Sequence, residues 1–172
     1  SKNKTSPQLS LEGISRYTQA QKYWEKDSPV IKEKLREIFK GDPPKTNREK
    51  VRLIYRYVVD NLSYNGERLK KDDIERLGAL TALNNPQQAV CMEFTDLFIA
   101  LSRAAGVPAR ELDGFAYSQN KLLRPLSLSR DFLHAWPEYY AESRGWGMVD
   151  PTWENTSGGV DYFNKFDLNH LV

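Results

Sequence analysis

The chain has 172 residues, long enough for one domain to bury a core without disulfides or a structural metal. Its 25 basic and 23 acidic side chains nearly cancel, so the net charge of +2 gives no electrostatic case for nucleic acid or an anionic membrane as partner. No apolar run reaches the ~20 residues that span a bilayer, and the first residues lack a basic-then-apolar signal pattern, so a soluble domain without membrane insertion is expected.

Residues 1–10 are polar and read as a linker or tail. Residues 11–172 read as a single domain, cut short at the C-terminus. The start without an initiator methionine suits a domain of a longer protein, and an extracytoplasmic location is among the compartments that one cysteine permits. A monomer is expected.

The punctuation is that of an α+β domain, with N-terminal helices preceding an antiparallel sheet. Ser28 as N-cap and Pro29 at the first helical position open a helix carrying Ile31, Leu35, Ile38 and Phe39, which Gly41 ends. Thr46 and Glu49 form a capping box, after which Val51, Ile54, Tyr55, Val58, Val59 and Leu62 recur at helical spacing. A charged stretch through Asp73 reads as loop. A shorter helix from Leu77 to Leu83 ends at Asn84-Asn85-Pro86, because proline disfavours helix for the residue before it.

A third long helix begins near Cys91, with Phe94, Leu97, Phe98, Leu101, Ala104 and Ala105 on one stripe and Gly106-Val107-Pro108 as its stop. Three residues before Phe94, Cys91 lies on the stripe's side and faces the body of the domain. Beyond Pro108 come aromatic-rich strands: Ala109 to Tyr117, Phe132 to Ala141 and Gly145 to Val149. The stretch from Lys121 to Arg130 is a loop placed to flank a cleft. After Gly158-Gly159 no period is visible, and the last residues begin a strand.

Cys91 is the one cysteine, so no internal disulfide is available to it. A thiol with pKa about 8.5 must become thiolate to be a nucleophile, and a helix N-terminus and a neighbouring imidazolium both favour that form. The same backbone donors can receive the oxyanion formed at an attacked carbonyl. The general base is sought among two histidines, His134 and His170. His134 is the better choice, since Phe132, His134, Trp136, Glu138 and Tyr140 share one strand face with bulky walls.

Asp150 follows His134 by sixteen residues, at the end of the next strand. A tight turn at Ser143-Arg144 would set it opposite Pro137, roughly 10 Å along the strand from His134, so a wider loop, twist or bulge must close the gap. Each residue alone has an ordinary structural reading: a small core thiol, a satisfied strand histidine, a turn-forming aspartate. Their order together points to thiol acyl-transfer chemistry.

Four blocks carry a resemblance: Cys91-Met92-Glu93-Phe94; Leu101 through Arg110; His134-Ala135-Trp136-Pro137-Glu138; and Gly145-Trp146-Gly147-Met148-Val149-Asp150-Pro151-Thr152. In that order, across residues 48–155, they resemble the transglutaminase-like domain, a branch of the papain-like thiol enzymes. The resemblance implies Cys91 as nucleophile, His134 as general base and acid, and Asp150 as the carboxylate orienting the imidazole. It also implies an α+β fold with the nucleophile helix packed on the sheet, and a protein or peptide substrate. An upstream aromatic near the oxyanion would be Tyr64, with Gln87 and Gln88 as further donor candidates. Trp136, Trp146, Trp153, Tyr139 and Tyr140 are candidates to line the cleft, or core residues. This chain departs from the family in carrying Val90, where many members have glycine before the nucleophile.

The activity implied is that of a cysteine hydrolase or acyltransferase: protease, amidase or protein-glutamine transferase. The alternative is a non-catalytic peptide-binding module on the same fold. A metal hydrolase is disfavoured because no two ligands have zinc-type spacing, and Asp161 and Asp167 lack a calcium-loop pattern. The expectation is no metal and no cofactor.

Overall fold

Helices form where apolar spacing and caps agree. The computed structural model describes residues 8–70, 74–116, 133–166 and 170–172; the expected loop over 121–130, and Asp167, lie outside them. The helices are α1 (Leu11–Tyr17), α2 (Pro29–Ile38), α3 (Asn47–Asn61), α4 (Gly78–Asn84), α5 (Cys91–Ala104) and α6 (Pro151–Thr156). The strands are β1 (Ala109–Ala116), β2 (Leu133–Ala141), β3 (Gly145–Met148) and β4 (His170–Leu171). They form one antiparallel sheet in the order β3-β2-β1-β4. The fold is therefore α+β, with helices preceding and covering a small sheet.

The Thr46 capping box forms as the sequence requires: the hydroxyl accepts from Glu49 N–H, and the Glu49 carboxylate from Thr46 N–H. Helix α3 then buries Val51, Ile54, Tyr55, Val58 and Val59. Two short helices were not foreseen. No residue of α1 is buried, and α6 begins at Pro151, with Asp150 as its N-cap. Gly78 starts α4 at φ +83°, where a Cβ would come within 3.2 Å of the Tyr23 backbone, so only glycine fits.

Helix α5 is the central element. Phe94 through Leu101 are almost wholly buried, against α2, α3, α4 and the sheet, so it is apolar on more than one face. The alternation expected along β2 is likewise lost to burial on both faces: residues 134–141 are all buried. Tyr139 and Ala141 join the main core, whereas His134 and Trp136 stack against Trp153 and His170 in a second aromatic cluster.

Among the described residues, no helix is long and apolar enough to cross a membrane.

Candidate active site

Cys91 is the first residue of α5 and is partly exposed. Its helix start lacks a side-chain cap, because Val90 carries no acceptor. The first-turn N–H groups, which have no intrahelical partner, are thus not consumed by an N-cap side chain. What anchors this turn is Glu93, a buried carboxylate that accepts from Val90 N–H at 3.0 Å, Leu77 N–H at 2.8 Å and Arg68 at 2.8 Å. A glutamate three residues past the cap was a legible signal, but its long-range partners Arg68 and Leu77 were not.

Strand β2 supplies His134. Thr95 of α5 donates to the Ala135 carbonyl at 3.2 Å, which fixes the helix against the strand beside the imidazole. The ring is stacked between Trp136 and Trp153, with centroids 5.7 and 5.8 Å away.

Asp150 reaches the same place by a shorter route than a tight turn allows. Residues 142–144 form a three-residue turn before Gly145 at φ +77°, and β3 pairs Tyr139 with Gly147 and Glu138 with Met148. Continuing that register sets Asp150 level with Trp136, one residue nearer His134 than the Pro137 position expected. A diagonal neighbour is within side-chain reach, and His134 Nε2 lies 2.6 Å from Asp150 Oδ2.

The carboxylate is fully buried and held on every side. Its Oδ1 accepts from Trp153 N–H at 2.9 Å as the N-cap of α6. The main-chain carbonyl of Asp150 and the buried Glu154 carboxylate share the single Tyr55 hydroxyl proton, at 3.1 and 2.7 Å. His170 Nε2 lies 3.0 Å from the same Oδ2 that bonds His134. The sequence favours His134 over His170 for its strand face with bulky walls; the pairing of Ala116 with His170 brings the second imidazole into the site as well.

Burial alone would lower the His134 pKa, but the Asp150 charge and hydrogen bond, joined by the Cys91 thiol, raise it to about 10. Burial likewise opposes the Asp150 charge, yet His134 first and His170 second hold its pKa down at about 2. Since Nε2 of His134 is engaged by Asp150, Nδ1 is the nitrogen available to the Cys91 sulfur. The group thus favours a charged imidazolium beside a charged carboxylate.

The remaining expected residues are spread more widely. Tyr64 is half-buried and bridges in parallel to Ala89, two residues before Cys91, with Asn65 N–H donating to the Ala89 carbonyl at 2.7 Å. Gln87 and Gln88 are exposed on a 3-10 turn, where Gln88 accepts from Asn65 at 3.3 Å. Trp136 is fully buried and forms a wall beside the imidazole. Trp153 and Tyr139 are also core residues, whereas Trp146 on the edge strand is part-exposed beneath Arg110.

His134, Asp150 and His170 present metal-capable atoms within 4.8 Å of one another. Those atoms are already used in hydrogen bonds to a single oxygen, so a proton-holding network accounts for the cluster.

The family model for the transglutaminase-like superfamily matches residues 32–151. The chain belongs to that superfamily. Within this transglutaminase-like group, a Pseudomonas aeruginosa protein-glutamine gamma-glutamyltransferase is 32% identical over 73 residues, which are 42% of this chain and 11% of that protein. A candidate cysteine protease from Cytophaga hutchinsonii has a similar fold at TM-score 0.65 and 23% identity, over 92% of this chain and 49% of that one. The periplasmic domain of TgpA from P. aeruginosa gives TM-score 0.61 at 20% identity, over 88% and 52%. This transglutaminase-like chain thus spans about half the length of the solved structures it resembles, and a small part of the curated relative.

Proposed function

We propose that the chain is a cysteine-dependent acyl-transfer enzyme in which Cys91, His134 and Asp150 act as a triad on a peptide or glutamine-side-chain amide. The observation that carries this reading is the buried 2.6 Å bond between Asp150 and His134, on an imidazole whose basicity the Cys91 thiol also raises. A superfamily with relatives named as a transferase and a candidate cysteine protease supports it.

In the first half-reaction the Cys91 thiolate attacks the amide carbonyl carbon, forming the C–S bond, and first-turn N–H groups of α5 receive the oxyanion. The His134 imidazolium then passes its proton to the leaving nitrogen as the C–N bond breaks, giving a thioester and free amine or ammonia. In the second half-reaction water or a lysine amine attacks the thioester, its proton goes to His134, and the thiolate leaves. Asp150 keeps the ring in one orientation throughout and stabilises its charge. Tyr64, bridged to Ala89, is the candidate for the upstream aromatic beside the oxyanion.

Mass spectrometry after incubation with a glutamine-containing peptide, with and without a primary amine, tests the reading. A +1 Da deamidation or a cleaved peptide indicates hydrolysis, and an amine adduct indicates transfer. No product of either kind across a varied peptide set, with Cys91 unreactive near pH 6, would leave a peptide-binding module as the better account.

A further inference from the structure

We infer that His170 is a positioning residue of this site: as a second imidazole on Asp150 Oδ2, it holds the carboxylate ionised and aimed at His134. The inference rests on the triad reading and extends it to a fourth side chain. Its basis is geometric. His170 and His134 both bring Nε2 to the same oxygen, at 3.0 and 2.6 Å, from opposite ends of the sheet order's β2-β1-β4 run. A carboxylate oxygen accepting from two imidazoles, while its twin accepts from Trp153 N–H, has no rotational freedom left.

The pocket around His170 is built for a ring in one pose. Phe166, Trp153 and Trp136 surround it with centroids at 4.3, 4.6 and 4.9 Å. Packing of this kind fixes the ring plane, so the direction of Nε2 toward Asp150 is set by apolar contacts rather than by the hydrogen bond alone. The neutral ring must carry its proton on Nε2 to donate to an ionised Asp150. The two-residue strand β4 is thereby given a purpose: pairing Phe115 with Leu171 and Ala116 with His170 delivers the imidazole to the site.

Among the described residues, few titratable groups face this network. They are His134 on β2, Cys91 on α5, the Tyr55 hydroxyl on α3, Glu154 on α6 and Tyr162 beyond it, whose ring lies 6.2 Å from that of His170. Tyr55 and Glu154 bond each other, so among the described residues His134 and His170 are the two imidazole partners of Asp150. Removing one donor makes the carboxylate easier to protonate, and the ring loses its anchor at a higher pH.

The test follows iodoacetamide alkylation of Cys91 against pH in wild type, His170→Phe and His170→Gln. Phenylalanine fills the aromatic cage without a donor, and glutamine restores an N–H. The expected result is an acid-side alkylation plateau in wild type, with its acid limb moved up by about half a pH unit in His170→Phe and returned by His170→Gln. On carbobenzoxy-Gln-Gly, kcat falls about tenfold in His170→Phe with KM little changed. Superimposable profiles in wild type and a folded His170→Phe would overturn the inference while leaving the triad standing. A wild-type profile of an ordinary thiol, rising only above pH about 8, would overturn the triad reading and this one with it. Imidazole 15N spectra of wild type give an independent reading: the Nε2–H tautomer of His170 is expected, and the Nδ1–H tautomer contradicts the role.

Discussion

Asp150 and Asp96 are both fully buried, and the chain treats the two carboxylates in opposite ways. Asp150 accepts from two imidazoles and a backbone N–H, and its pKa is held down at about 2. Asp96, in the second turn of α5 itself, accepts from Arg76 at 3.0 Å and Trp24 at 2.7 Å, yet burial pushes its pKa up to about 7. The difference lies in sharing. Arg76 divides its charge between Asp96 and Glu111, two acids for one cation, whereas at Asp150 two rings serve one acid. Burial by itself therefore does not set the charge state of an acid; the ratio of donors to charge does.

Breaking the two sites separates chemistry from architecture. Cys91→Ala is expected to abolish acyl transfer while the melting temperature stays close to wild type, since a partly exposed helix-start thiol contributes little packing. Wild-type turnover in that variant would remove Cys91 from the mechanism. Asp150→Asn should cost about 10³- to 10⁴-fold in turnover with the fold kept, because asparagine can still cap α6 but cannot stabilise an imidazolium. An unchanged rate would strip Asp150 of its role.

Arg76→Met attacks the other carboxylate. It strands Asp96 and Glu111 without their cation, and should lower unfolding stability by about 3 kcal/mol in denaturant titration. Cys91 alkylation in the folded variant should keep its wild-type profile; a shifted profile would mean the two sites are coupled.

The last effect concerns pH. Asp96 has a folded pKa raised above its unfolded value of 3.8, so the folded chain binds the proton more tightly and stability falls as pH rises from about 4 toward 7. The slope should total of the order of 4 kcal/mol and flatten in Asp96→Asn. Asp150 has the opposite sign: its contribution is present above pH 3.8 and lost only as pH falls toward 2. A slope that survives Asp96→Asn would assign it to another group.

Much of this was legible beforehand, for reasons that differ along the chain. The Thr46 capping box, the α5 stripe and the position of Cys91 at its first residue depend on neighbours three and four residues apart. The polar partners of α5 were not legible: Glu93 with Arg68, and Asp96 with Trp24, join residues 25 and 72 positions apart. The hairpin register also escaped, since one added turn residue moves every pairing by one and the aspartate with it.

What the amino-acid sequence determined by itself was therefore local: helix starts and stops, a thiol at a helix head, and the order of thiol, imidazole and carboxylate. Tertiary structure alone decided that Asp150 meets His134, that β2 is buried on both faces, and that His170 joins them. Helical hydrogen bonds and caps close within a few residues. A carboxylate's partners are chosen by whichever donors the packed sheet and helices bring to one oxygen, and no short spacing encodes that meeting.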